Sequence, residues 1–116
     1  MTIEEINYDV LIVGAGPSGL SAAIKLKQLA SENNQDISVC VVEKASQIGG
    51  HTLSGAVIDV TSLAELLPNW KNTNPPIVTP VKKDNFFYFT KRNALKIPNF
   101  LLPNTLTNKS HFVVSL

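Results

Sequence analysis

Apolar positions change their period along the first forty-three residues, and each change predicts an element. Tyr8-Asp9-Val10-Leu11-Ile12-Val13 is short, β-branched and almost entirely apolar, without alternation, and it stops at Gly14. That pattern predicts a buried parallel strand. From Pro17 to about Glu32 the period becomes helical: Ser21, Lys25, Gln28 and Glu32 share one face, and Gly19, Ala23, Leu26 and Ala30 share the opposite one, with Leu20, Ile24 and Leu29 beside them. An amphipathic helix with small residues on its inner face can lie close to a sheet. The polar stretch Ser31 to Asp36, with Asn33-Asn34, ends it, and Ile37 to Val42 returns to an apolar run that closes at Glu43. Residues 8–43 therefore read as β-α-β.

Residues 44–70 read as a cofactor-facing loop and a short helix. Gly49-Gly50 and Gly55 bracket His51-Thr52-Leu53-Ser54, too rich in glycine for a helix. From Thr61, the residues Leu63, Leu66, Leu67 and Trp70 share a helical face, with Thr61 or Ser62 as cap and Pro68 as limit. Residues 71–116 read as loop and hairpin: Asn72 to Pro80 holds three prolines, Phe86 to Thr90 is strand-like, and Leu95 to Pro98 returns antiparallel across Lys91-Arg92-Asn93. The fold class is α/β, a Rossmann-like β-α-β unit with a partial antiparallel β extension.

Composition narrows the chemistry. A chain of 116 residues, 44% hydrophobic, is long enough for one domain and too apolar for a disordered tail. No run nears the roughly 18 apolar residues that span a bilayer as a helix. The single Cys40 cannot form an internal disulfide or ligate an iron–sulfur cluster alone, so redox chemistry here calls for an organic cofactor, and a reducing compartment is the simpler expectation. Charge is lopsided: residues 1–70 carry three lysines against eight carboxylates, net −5, and residues 71–116 carry seven cations against Asp84, net +6. The cations are scattered, which reads as a solvated face. Phe86 to Phe89 beside Lys82, Lys83, Lys91 and Arg92 reads as a strand with a charged rim, and no nucleic-acid partner is expected. The acidic, Arg-free N-terminus shows no targeting peptide.

Gly14-Ala15-Gly16-Pro17-Ser18-Gly19 is a G-x-G-x-x-G, weak alone but placed between a strand and a helix as a dinucleotide site requires. Gly14 allows the tight turn, Gly16 leaves room for a pyrophosphate and Gly19 lets helix and strand pack closely. Pro17 suits the first helical turn, and the unpaired N–H groups there favour an anion. Glu43, 24 residues after Gly19, can accept from ribose hydroxyls and would repel a 2′-phosphate. Gly49-Gly50, six and seven residues further on, resembles the E-x(5-6)-G-G continuation of two-dinucleotide-binding flavoproteins, which favours FAD over NAD.

The string Val39 to Ala45 followed by Ile48-Gly49-Gly50-His51-Thr52-Leu53-Ser54-Gly55-Ala56 closely resembles electron transfer flavoprotein-ubiquinone oxidoreductase. Further matches are Gly14 to Ala23, Leu26 to Ala30, Leu67 to Lys71, Thr79 to Val81 and Phe112 to Val114. The resemblance implies an FAD enzyme that takes electrons from electron transfer flavoprotein, passes them through flavin and a 4Fe-4S cluster, and reduces ubiquinone at a membrane surface. It implies that Gly14 to Gly19 hold the pyrophosphate, that Glu43 and Lys44 meet the adenosine end, and that Gly50, His51, Thr52, Leu53 and Ser54 lie along the cofactor. No side chain here is expected to be catalytic or to bind a metal, and Cys40 does not match a cluster cysteine. It also implies peripheral membrane association, on the bacterial cytoplasmic or mitochondrial inner membrane. Leu63, Leu66, Leu67 and Trp70 suit either shallow interfacial insertion or a core-facing helix. Proteins of this family are several times longer, so the expectation is an N-terminal piece that is inactive alone. The alternatives are a truncated or split-gene product, or another FAD enzyme such as a geranylgeranyl-reductase-like protein or a monooxygenase.

Overall fold

The β-branched run pairs as its pattern requires. In the computed structural model, which describes residues 5–115, Val10–Val13 forms β1 and Val39–Val42 forms β2, joined in parallel with Val10 opposite Val39 and Val13 opposite Val42. Both strands begin two residues later than the apolar runs do. The cause is a side-chain latch: the Asp9 N–H donates to Ser38 Oγ at 3.0 Å, and the Ser38 N–H and hydroxyl donate to Asp9 Oδ2 at 2.7 and 2.6 Å. The helix between the strands, α1, spans Pro17–Glu32, with proline in its first turn. At its C-terminal end Asn34 turns to φ +52° and the Gln35 N–H returns to the Ala30 carbonyl at 2.8 Å, so the Asn33-Asn34 pair ends the helix as expected. Lys27 Nζ then fastens the connection to the Ile37 carbonyl at 2.9 Å.

Only one face of β1 is covered. Val10 and Ile12 are half-buried, while Leu11 is 61% and Val13 81% exposed. Fully buried strands were expected; instead β1 alternates with period two, while in β2 Val39, Cys40 and Val41 are all half-buried and Val42 is exposed.

The chain divides after Leu53 into two units. The second begins at Ser54 and contains two sheets. Ala56–Ile58 (β3), Thr79–Pro80 (β4) and Phe112–Val114 (β7) form an antiparallel sheet in the order β3-β7-β4, with Ala56 opposite Val114 and Thr79 opposite Val113. Phe86–Phe89 (β5) and Ala94–Ile97 (β6) form the expected hairpin, closed by Thr90 and Asn93, whose backbone and side-chain groups bond one another at 2.8–3.0 Å. The short helix α2, Thr61–Leu66, is capped differently from the expectation. Neither Thr61 nor Ser62 caps it; Asp59 Oδ1 accepts the Thr61 N–H at 2.9 Å and its hydroxyl at 2.6 Å, because the acid stands where an Asx turn can reach two residues ahead. Trp70 is buried and meets Phe112 edge-on at 6.1 Å between ring centroids. Of the two readings open for the Leu63–Trp70 face, Trp70 therefore takes the core-facing one. No helix among the described residues is long and apolar enough to cross a membrane.

Carboxylates hold turns in both units. Asp84 accepts the Asn108 backbone N–H at 2.7 Å and its side-chain amide at 3.0 Å, and these bonds hold its carboxyl below the usual range, as those from Ser38 do for Asp9. A carboxyl whose folded pKa lies below its unfolded value stabilises above the unfolded value, about 4, and loses that contribution as pH falls through the folded one. The denaturant midpoint is thus expected to be flat from neutrality to about pH 5 and to fall in more acid solution. Asp84→Asn should lessen that acid slope; an unchanged slope would show that the Asp84 bonds do not persist in solution.

Candidate functional site

The first unit brings the end of β1, the start of α1 and the end of β2 together. β1 stops because Gly14 takes φ +102°, which costs little only for glycine, while its N–H continues the sheet to the Val42 carbonyl at 2.7 Å. Gly16 is the N-cap of α1 in extended conformation, and its carbonyl accepts the Leu20 N–H at 3.0 Å. Pro17 has no N–H, and the N–H groups of Ser18 and Gly19 have no acceptor among the described residues. These are orphan donors of a helix start, with the positive end of the helix dipole behind them.

The three glycines have different surroundings. A Cβ placed on Gly16 would meet nothing within 4 Å, so the backbone there borders open space. A Cβ on Gly19 would overlap the Gly14 carbonyl oxygen and stand 3.2 Å from Ile12 Cγ2, so here glycine permits the contact between α1 and β1. Gly14 is required by its dihedral angle and not by crowding. An anionic diphosphate fits this arrangement: donors without partners face a cradle that any side chain at Gly16 would fill.

Glu43 leaves β2 beside this loop. Its Oε2 accepts the Ala15 N–H at 2.7 Å, and its Oε1 accepts the Ala45 N–H at 2.9 Å. Ala15 itself is buried. The bond from Ala45, then that from Ala15, holds the Glu43 carboxyl below the usual glutamate range, so it is an anion at neutral pH. Each carboxylate oxygen keeps a second lone pair for another donor. The part played by Ala45 escaped the sequence reading, which carries no signal that Glu43 turns back to an amide two residues on.

Beyond Glu43 the expected site residues are less concentrated. Lys44 is exposed. Residues 48–51 form a turn in which the Gly50 N–H reaches the Gln47 carbonyl at 3.1 Å and the Thr52 N–H reaches that of Gly49 at 2.9 Å. Gly49 has φ +82°, and a Cβ on Gly50 would stand 3.2 Å from the Gln47 carbonyl oxygen, so both glycines serve the turn. His51 and Thr52 are exposed, and Leu53 is 89% exposed. Ser54 opens the second unit, where its hydroxyl lies 3.4 Å from that of Ser115. A shallow concavity lined by Ala23, Ile24, Lys27, Gln28, Ser31 and Glu32 runs along α1 and shares no residue with the loop. The unpaired amides and the open backbone mark the loop, not that hollow, as the candidate site.

Comparison with known proteins agrees with this geometry. The model of the NAD(P)-binding Rossmann-like domain matches residues 12–78. The chain is 53% identical, over 97% of its length, to the mitochondrial electron transfer flavoprotein-ubiquinone oxidoreductase of Arabidopsis thaliana. It is 50% identical over its whole length to the Pseudomonas aeruginosa protein of that name, and 51% identical over 93% to the one from Rattus norvegicus. It covers 17%, 21% and 17% of these proteins, so it spans about a fifth of the length of the curated relatives it matches.

Proposed function

The chain belongs to the NAD(P)-binding Rossmann-like domain family, and from that premise we propose that it forms part of the FAD-binding domain of an electron transfer flavoprotein-ubiquinone oxidoreductase. In this reading the enzyme passes electrons from electron transfer flavoprotein to ubiquinone at a membrane surface. The observation that carries it is identity of about half, along nearly the whole chain, to proteins bearing that name.

The loop supports FAD as the ligand. The Ser18 and Gly19 N–H groups would donate to the diphosphate across the opening at Gly16, and Glu43 would accept from the adenosine ribose. Both roles use atoms that the fold leaves available. Bound FAD would supply the two-electron chemistry that no side chain here provides. Gly14 sets the turn, Gly19 sets the distance between helix and strand, and the negative Glu43 disfavours a ligand with a 2′-phosphate. The residues present do not fit a 4Fe-4S cluster, since the one cysteine, Cys40, lies mid-strand in β2 opposite Leu11.

Titration of the purified chain with FAD, followed by flavin fluorescence and visible absorption, tests the cofactor assignment. Stoichiometric binding, competed by ADP and not by 2′-phospho-ADP, is the expected result. A chain that folds yet leaves FAD free at excess protein would sink the claim that it binds flavin.

A further inference from the structure

The diphosphate loop does not hold its own shape. Gly14 and Gly16 restrict the backbone least of all residues, the N-cap Gly16 has no side chain to bond the first turn, and that turn contains no acid. The Ala15 peptide between them would be free to turn. One side-chain hydrogen bond to the loop is found among the described residues, and it comes from 28 positions further on, where Glu43 Oε2 takes the Ala15 N–H at 2.7 Å. The other oxygen of that carboxylate is tied at 2.9 Å to the Ala45 N–H, so the clamp is itself anchored to the chain leaving β2.

We propose that Glu43 is a positioning residue for the diphosphate loop: its carboxylate fixes the Ala15 peptide between the two glycines before any ligand arrives. The inference rests on the dinucleotide reading above and adds to the ribose contact a role that needs no ribose. Two consequences follow from the geometry. With the Ala15 N–H taken by Glu43, the donors presented to a diphosphate are those of Gly16, Ser18 and Gly19, so an anion is drawn to the helix start and not to the strand end. Ordering a glycine-flanked peptide beforehand also spares the ligand that entropy, which makes one carboxylate serve both ends of the adenosine diphosphate.

Two measurements on the full chain test this. In ligand-free, 15N-labelled protein, the Ala15 and Ala45 amide resonances should move together as Glu43 is protonated, with a midpoint below the ordinary glutamate range, and Glu43→Gln should abolish that shared transition. Independent or absent transitions would overturn the proposal, and the wild-type titration decides this even if the variant fails to fold. In the second measurement, ADP and 2′,3′-dideoxy-ADP are titrated against wild type and E43Q. Loss of a positioning hydrogen bond to a charged group should weaken 2′,3′-dideoxy-ADP about tenfold, and ADP, which also loses the ribose contact, by more. A variant effect seen with ADP and lost with the dideoxy ligand would confine Glu43 to ribose binding and overturn the positioning role. If the amides report the clamp while wild type binds neither ligand, the dinucleotide reading fails and the positioning of the Ala15 peptide stands.

Discussion

Gly16→Val is expected to weaken FAD binding by at least about a hundredfold while leaving the first unit folded. The two consequences separate because of where the side chain goes. The Gly16 φ of −76° is open to any residue, and a Cβ there meets nothing within 4 Å, so valine finds no clash in the protein. As an N-cap, valine is poorer than glycine, but Gly16 offers no side-chain cap to lose, and the cost stays within about 1 kcal/mol. The two methyl groups instead take up open space at the helix start, where the proposed diphosphate would approach the backbone. A diphosphate displaced from the Ser18 and Gly19 amides forfeits charge-assisted hydrogen bonds of about 1.5–3 kcal/mol each. Far-ultraviolet circular dichroism and a denaturant titration check the fold, and flavin fluorescence checks the ligand. Wild-type affinity in the variant would remove the loop from the binding site.

Gly19→Ala is expected to act in the opposite sense, destabilising the first unit whether or not a ligand is present. Helix propensity alone argues for a gain, since alanine is favoured over glycine by up to about 1 kcal/mol in a helix. Packing argues the other way and should prevail. The added methyl would overlap the Gly14 carbonyl oxygen, an atom of the same peptide whose Ala15 N–H Glu43 holds, and would press on Ile12 Cγ2 at 3.2 Å. Pushing α1 away from β1 to relieve the overlap would open the half-buried face of Val10 and Ile12, and overpacking of this kind costs about 1–3 kcal/mol. The denaturant midpoint of the variant should fall. A midpoint that rises would show that propensity outweighs packing and that α1 lies further from the strand in solution.

Together the two substitutions separate what the glycines do. They share one motif, and the motif says only that side chains are unwelcome. At Gly16 the space is open; at Gly19 it is filled by the chain itself. The close packing expected at Gly19 is present, but the difference in sign and in readout between the two positions depends on atoms of Gly14 and Ile12 that the motif does not mention.

The remaining elements divide along the same line. Runs of four to sixteen residues were enough to read β1, α1, β2 and the β5–β6 hairpin, because the strands are compact apolar runs between polar or glycine positions and α1 carries the helical period. The β3-β7-β4 sheet had no such signal. Its strands are two or three residues long, too short to show a period, and Ala56 finds Val114 across most of the second unit. The burial of Trp70 against Phe112 and the Asp59 bonds to Thr61 belong with that sheet. So does the two-sided bond of Glu43: an acid at a strand end was legible as a hydrogen-bond acceptor, but its first partners, Ala15 and Ala45, were not. By itself, then, the sequence determined the β-α-β unit, its glycine loop and the hairpin, since those follow from backbone preferences and side-chain spacing within a few turns of chain. Tertiary structure alone decided which face of each element is covered, which distant strands pair and which amides the carboxylates take, because those outcomes depend on atoms that meet only after the chain has closed on itself.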